Sequence, residues 1–182
     1  MVAMSLILWL VRHGATDWSD EGRFNGWTDV PLNARGRVQA TALGEQLGGR
    51  VFDGVWTSDL TRAVETAELS GYPASPDNSL RELDFGSLEG KTFGEIEPAL
   101  QRDLLAFEPF TSPGGESVRQ LTIRVGDFLS ELPAGEHVLF THGGVIRAIL
   151  RASGHDRSIV PGEVVRASFD ATMGFFGRTV GG

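Results

Sequence analysis

Two segments of the chain share one pattern, in which an apolar run leads into a His-Gly pair. Leu6–Val11 runs toward His13, and Val138–Thr141 leads directly into His142. Such runs are typical of parallel strands that are covered by helices on both faces. Both histidines would then follow the carboxyl end of a buried strand. We expect their imidazoles to face one another across one pocket if the two strands are neighbours in the sheet.

Further strand and helix patterns lie between these two segments. Asn33 is placed to cap a helix whose apolar residues recur at i, i+3 and i+7. Residues 55–57 form a short apolar run that predicts a strand. A second helix with one apolar face follows, and we expect Ser58 or Asp59 to cap it. The pattern therefore alternates between strand and helix.

The second half of the chain continues the alternation. Residues 117–132 begin with a Ser-x-x-Gln capping box and carry an apolar stripe, which predicts a third helix, and Gly143-Gly144 opens a fourth. Short strands are expected around residues 164–169 and 173–176. Alternation of this kind predicts the α/β class: a three-layer α/β/α sandwich with a mostly parallel central sheet. Ligands of such sheets bind at the carboxyl ends of the strands.

Composition narrows the possible functions. A length of 182 residues suits a single domain, taken here as residues 1–182. The formal net charge of -8 argues against nucleic acid or a membrane surface as a partner. The chain has no cysteine, which excludes disulfides and thiol nucleophiles. No apolar stretch reaches membrane-spanning length, so we expect a cytoplasmic protein.

Two arginines accompany the histidines and predict an anion site. Arg12 precedes the first histidine, and Arg62 falls in the first turn of the helix after the strand at 55–57. Guanidinium groups, imidazoles and the backbone amides of Gly143 and Gly144 at a helix start together favour phosphate. The alternatives are plainer. Each His-Gly pair would be a strand exit with a solvated imidazole, and Arg62 would lie on a solvated helix face.

The residues resemble the histidine phosphatase superfamily, in its phosphoglycerate-mutase-like branch. The Arg-His-Gly at residues 12–14 is the motif of that family. Further motifs follow in family order over most of the chain: GRFNGWTDVPLNARGRVQA, TSDLTRAVETAEL, LRELDFGSLEGKTFGEI, PGGES and THGGVIRAIL. Within the family, the sequence is most similar to the small α-ribazole-5'-phosphate phosphatases and broad-specificity acid phosphatases.

The resemblance implies roles for individual residues. His13 looks like the nucleophile that becomes phosphohistidine, and Glu82 looks like the proton donor. The phosphate clamp would consist of Arg12, Arg62 and His142. The substrate cleft would be lined by Thr16, Ser19, Asn25, Gly26 and Gly143. An attacking imidazole must be neutral, and the flanking arginines are expected to lower the pKa of His13. The plainer alternative for Glu82 is a surface carboxylate of an acidic protein.

Some positions depart from the family pattern. Ala15 stands where many members have Glu, and Ser19 stands where many have Asn. The segment Thr92–Pro113 lacks the adjacent arginine pair of the mutases, and only Arg102 is basic there. The segment is apolar instead, so it would form either a lid over a hydrophobic leaving group or a part of the core.

The sequence therefore predicts a metal-independent phosphatase with no cofactor, which hydrolyses a small-molecule phosphate ester through phosphohistidine. α-Ribazole-5'-phosphate is a candidate substrate. Two alternatives stay open: a bisphosphoglycerate-dependent phosphoglycerate mutase, and a non-catalytic domain that binds phosphorylated ligands. The sequence does not distinguish a monomer from a homodimer.

Overall fold

A computed structural model of the protein describes residues 5–170, in which five strands lie among six α-helices. The elements in chain order are β1 (Ser5–Arg12), α1 (Asp17–Asp20), α2 (Ala34–Leu47), β2 (Gly54–Thr57), α3 (Thr61–Leu69), β3 (Ser75–Pro76), α4 (Pro98–Ala106), α5 (Val118–Glu131), β4 (Gly135–Thr141), α6 (Gly143–Ala152) and β5 (Val164–Asp170). Three short 3₁₀ turns lie at residues 78–80, 86–88 and 93–95. No helix of residues 5–170 is long and apolar enough to cross a membrane.

The strands form one sheet in the order β3-β2-β4-β1-β5. β4 pairs in parallel with both β1 and β2, and β2 pairs in parallel with β3. Only β5, at the edge beside β1, runs antiparallel within the described sheet. The predicted α/β class with a mostly parallel sheet is confirmed. The strand expected at residues 173–176 lies outside the described residues.

Both faces of the sheet are buried at β1 and β4, which explains the apolar runs at residues 6–11 and 138–140. Leu8 and Leu10 of β1 belong to a cluster that includes side chains of α5 and α6. Val11 belongs to a second cluster, with Leu43 and Leu47 of α2. Successive side chains of a strand point to opposite faces, so a strand between two helical layers needs apolar residues on both.

The helix starts follow local signals at two places. The Asn33 side chain accepts a hydrogen bond from the backbone N–H of Gly36 at 2.9 Å, which caps α2. Ser117 and Gln120 form the predicted capping box at the start of α5. These caps satisfy backbone N–H groups that the first helical turn leaves without partners.

The prediction that Ser58 or Asp59 caps α3 is wrong. The helix begins at Thr61, whose backbone N–H donates to the carboxylate of Asp29 at 2.8 Å. The Asp59 carboxylate instead accepts two hydrogen bonds from Arg81, at 2.7 and 2.6 Å. A charged guanidinium binds a carboxylate more strongly than a backbone amide does. The acceptor at the helix start therefore comes from a distant loop.

Candidate active site

The sheet brings the two His-Gly segments together. β1 and β4 are parallel neighbours in which Arg12 is paired with Thr141, so the next residue of each strand is a histidine. The backbone N–H of His13 donates to the carbonyl of Thr141 at 3.0 Å. The imidazole centroids of His13 and His142 lie 5.1 Å apart, with 60° between the ring planes. The predicted juxtaposition of the two imidazoles is confirmed.

His13 is buried in a state that suits a nucleophile. Burial, and then the charges of Arg62 and Arg12, hold the pKa of His13 well below 6.5, so its ring is neutral at physiological pH. Nδ1 lies 2.7 Å from the carbonyl oxygen of Gly14. A carbonyl only accepts, so Nδ1 carries the proton and Nε2 keeps its lone pair. The attacking atom available on this ring is Nε2.

Arg62 is fully buried against backbone carbonyls. Its Nη2 donates to the carbonyl of Gly26 at 2.6 Å and to that of Asn25 at 3.2 Å, and its Nη1 donates to that of Thr28 at 3.2 Å. Burial lowers the pKa of Arg62 to about 10, so the group remains charged at neutral pH. These carbonyls fix the guanidinium plane, whereas Nε has no partner among residues 5–170.

Arg12 is held in a similar way. Its Nη1 donates to the carbonyl of Ile159, and its Nε is buried without a partner among the described groups. Within the same residues, neither Arg12 nor Arg62 forms an ion pair with a carboxylate. Burial lowers the pKa of Arg12. Two cations that are removed from water and lack a paired carboxylate form a site for an anion.

His142 has two buried ring nitrogens without partners in the described part of the chain. Burial and the charge of Arg62 hold its pKa well below 6.5, so this imidazole is also neutral. His142 is the residue that precedes α6, whose first residues are Gly143 and Gly144. Buried polar atoms are rarely left without hydrogen bonds in a native protein. A bound oxyanion beside the start of the helix would accept a hydrogen bond from the ring nitrogen that carries the proton.

The carboxylate of Glu82 is held by a backbone amide at the start of α6. Its side chain is almost fully buried, and both carboxylate oxygens lie 3.1 Å from the backbone nitrogen of Gly144. Oε1 also accepts from the N–H of Leu83 at 2.9 Å. A Cβ atom at Gly144 would overlap this carboxylate. The backbone amide of Gly144 was expected to contribute to the phosphate site, but in this structure it donates to Glu82.

Three of these residues reach a cleft of about 330 Å³, whereas Arg62 and His142 are fully buried and do not line it. Arg12, His13 and Glu82 line it, together with an apolar wall of Phe24, Phe85, Leu104 and Phe107. A larger cavity, of about 520 Å³, lies between α5 and α6 and contains neither histidine. Of the segment 92–113, Leu104 and Phe107 therefore reach the cleft, whereas Phe110 is packed in the core. Phe107 also belongs to the core, so packing under the segment is confirmed for Phe107 and Phe110, and a lid over the leaving group stays a prediction.

The residues expected to contact substrate divide into two groups. Ser19, Asn25 and Gly143 line the cleft, and the Oδ1 atom of Asn25 is buried without a partner among the described residues. Thr16 is buried beneath them, where its hydroxyl oxygen accepts from the N–H of Ser19 at 3.1 Å. The backbone of Gly26 binds Glu89 and Arg62 instead of lining the cleft.

Several lining residues were not singled out from the sequence, and four of them are polar or lie in a loop beside Arg12. Arg23, Arg147, Ser158 and Ile159 all face the cleft. Arg147 is four residues beyond Gly143 on α6, so helical spacing could have placed it near the site. The sequence around Ser158 and Ile159 has no periodicity that would have done so. Within residues 5–170, no three histidine or acidic side chains are close enough to hold a metal ion.

A neutral histidine at a strand end, beside two buried guanidinium groups and a carboxylate, is the arrangement that histidine-based phosphoryl transfer requires. The chain belongs to the histidine phosphatase superfamily, branch 1, whose sequence profile matches residues 8–159. The α/β fold with five strands is likewise that of phosphoglycerate-mutase-like structures.

Known relatives support this assignment. The chain is 37% identical over 169 residues to the 2,3-bisphosphoglycerate-dependent phosphoglycerate mutase 2 of Gloeobacter violaceus, covering 82% of this chain and 76% of that protein. It matches the crystal structure of a phosphoglycerate mutase from Thermus thermophilus with a TM-score of 0.83 and 48% identity, over 88% of this chain and 91% of that one. The open reading frame Rv3214 of Mycobacterium tuberculosis gives a TM-score of 0.77 at 31% identity, with coverages of 88% and 89%.

Proposed function

We propose that the protein is a metal-independent phosphatase that hydrolyses a small phosphate monoester through a phosphohistidine at His13. One observation carries the proposal. Polar atoms of Arg12, Arg62 and His142 are buried beside His13 and have no partners among the described residues. Phosphoryl oxygens would accept hydrogen bonds from the two Nε–H groups and from the protonated ring nitrogen of His142, and the two guanidinium groups would stabilise the charge of the transferring group.

Two steps follow from this arrangement. The lone pair of Nε2 on His13 attacks phosphorus, the bond from phosphorus to the ester oxygen breaks, and Glu82 gives its proton to the departing oxygen. A water molecule then attacks the phosphohistidine and loses a proton to the Glu82 carboxylate. The phosphorus–nitrogen bond breaks, and its electrons return to Nε2. Glu82 is thus the acid of the first step and the base of the second.

The apolar wall of the cleft supports a hydrophobic or ring-bearing leaving group. Phe24, Phe85, Leu104 and Phe107 offer aromatic and aliphatic surface beside the reacting groups. α-Ribazole-5'-phosphate, which carries a ring system, is therefore our candidate substrate. The cleft volume of about 330 Å³ is at the small end of ligand sites, which suits a small ester.

Phosphoglycerate mutase activity is the second candidate, because relatives of the chain carry that name. A mutase must hold a carboxylate and a second phosphate, and Arg23 and Arg147 line the cleft. Both are already bound to carboxylates, Arg23 to Glu21 at 2.5 Å and Arg147 to Asp156 at 2.7 Å. This pairing favours hydrolysis over mutase chemistry. A bisphosphoglycerate-dependent isomerisation assay separates the two activities.

The test is phosphate release from α-ribazole-5'-phosphate, 3-phosphoglycerate and p-nitrophenyl phosphate, measured in excess chelator for the wild type and His13→Ala. We expect release that resists the chelator and is lost in His13→Ala, while circular dichroism reports an unchanged fold. Turnover that persists in His13→Ala would contradict the nucleophile, and loss on chelation would contradict metal independence. Phosphate binding without release from any ester would favour a non-catalytic domain.

A further inference from the structure

The backbone that carries Glu82 is held by one side chain from α5. Arg124 donates from Nη1 to the carbonyl of Ser79 at 2.7 Å and to that of Arg81 at 2.9 Å. Its Nη2 donates to the carbonyl of Glu82 itself at 3.3 Å. One planar guanidinium therefore binds three carbonyl groups of the short segment that ends at Glu82, a geometry that a lysine ammonium cannot reproduce.

Glu116 orients Arg124 and binds the other side of the same loop. Arg124 contacts the Glu116 carboxylate from Nε at 3.0 Å and from Nη2 at 2.8 Å. The exposed fractions of the two side chains are only 19% and 12%. The backbone N–H of Glu116 also donates to the carbonyl of Asp84 at 2.9 Å. The pair therefore joins α5 to the backbone on both sides of Glu82.

Trp27 completes this support from the other side of the loop. Its Nε1 donates to the same Glu82 carbonyl at 2.9 Å. The peptide that follows Glu82 is thus held by two side-chain donors, while its carboxylate binds the Gly144 amide. Neither Arg124 nor Glu116 lines the catalytic cleft. Their hydrogen bonds reach the site through the backbone around Glu82. Besides burial, the charge of Arg124 also helps to lower the pKa of His142, and Arg124→Lys preserves this charge.

We propose that Arg124, oriented by Glu116, is a positioning residue that holds Glu82 where it can transfer a proton. This role rests on the proposed function, in which Glu82 is the acid and base. Proton transfer requires a hydrogen-bonding distance between the carboxyl group and the ester oxygen. A displacement of about 1 Å in a reacting group can reduce a rate by about a hundredfold. Removal of the Arg124 side chain leaves three carbonyl groups without their donor, so the backbone that positions the Glu82 carboxylate can shift.

The test compares two esters that differ in their need for an acid. p-Nitrophenolate departs as a stable anion, whereas the alkoxide from benzyl phosphate needs a proton as it leaves. The ratio kcat/KM covers the steps up to the transfer to His13, so the later hydrolysis does not affect it. For Arg124→Met we expect a loss of about tenfold with benzyl phosphate and less than about twofold with p-nitrophenyl phosphate.

Two further variants define the outcome. Arg124→Lys retains a cation opposite Glu116 but cannot bind three carbonyl groups at once, so it should show the same selective loss to a smaller extent. Arg124→Lys also tests the proposal if Arg124→Met does not fold. Arg37→Met removes a more exposed ion pair between α2 and α3, with Glu65 at 2.6 Å, and neither of its residues lines the cleft. This control should leave kcat/KM for both esters unchanged.

An equal loss with the two esters, in parallel with a lowered unfolding temperature, would overturn the proposal and leave Arg124 with a structural role only. Unchanged kcat/KM for both esters would overturn it as well. Glu82→Gln separates this failure from failure of the proposed function. If Glu82→Gln also shows no preference between the esters, then Glu82 is not the acid. If it does show a preference and the Arg124 variants do not, only the positioning role is wrong.

Discussion

The two buried imidazoles predict a steep loss of stability in mild acid. Burial holds the pKa of both His13 and His142 well below the value of 6.5 for a free imidazole. Below pH 6.5 the unfolded chain therefore binds protons that the native protein does not bind. Each such proton lowers the free energy of unfolding by about 1.4 kcal/mol per pH unit. Two histidines together lower it by about 2.7 kcal/mol per unit.

This stability is fully present above pH 6.5 and is lost as the pH falls further. Urea denaturation between about pH 7.5 and 5 measures the slope for the wild type and for His142→Asn. We expect the slope of His142→Asn to be smaller, by at most about 1.4 kcal/mol per pH unit, in the acid part of this range. Carboxylates that titrate in the same range are common to both proteins, so their contribution cancels.

His155→Asn is the matched control, because the ring of His155 is exposed. Its slope should equal that of the wild type. Equal slopes for the wild type and His142→Asn would refute the reasoning, since they would mean that native His142 takes up its proton as readily as the unfolded chain does. The same result would remove the argument that this imidazole is neutral when it meets phosphate.

Three further outcomes follow from contacts in and near the cleft. Gly14→Ala should lower the free energy of unfolding by about 2 kcal/mol in urea denaturation, because its Cβ would overlap the carbonyl of Gly36. In the control Gly94→Ala the new Cβ meets no atom within 4 Å, so the free energy of unfolding should change by less than about 1 kcal/mol. Arg62→Lys should weaken phosphate binding in calorimetry by about tenfold or more, because one ammonium cannot bind the backbone carbonyls and phosphate together; unchanged affinity would contradict the clamp. Leu104→Ala should lower kcat/KM for benzyl phosphate relative to glycerol phosphate by roughly fivefold, and equal losses would place the leaving group elsewhere.

Much of the fold could be predicted because its signals are local. The apolar runs of β1 and β4 and the capping box at Ser117 each lie within a few residues of the element that they specify. The start of α3 could not be predicted in this way. Its acceptor is Asp29, some 32 residues away along the chain, and no local pattern connects that residue to Thr61.

The candidate site divides along the same line. His13, His142 and Arg62 could be placed from the sequence, because each follows the carboxyl end of a strand and such ends meet at one edge of a parallel sheet. The positions of Ser158 and Ile159 beside the cleft could not be predicted, because they lie in a loop whose sequence has no periodicity. The Ile159 carbonyl contacts Arg12 only in the folded protein.

The sequence by itself determined the alternation of the main strands and helices, the α/β class and the residue types that meet at the strand ends, because periodicity and capping act over short distances. It did not predict α1, β3 or α4. Only the tertiary structure decided the protonation of His13 and the hold of Arg124 on Glu82. A pKa depends on burial and on charges that the fold brings near, and a guanidinium binds three carbonyl groups only once α5 has packed beside their loop.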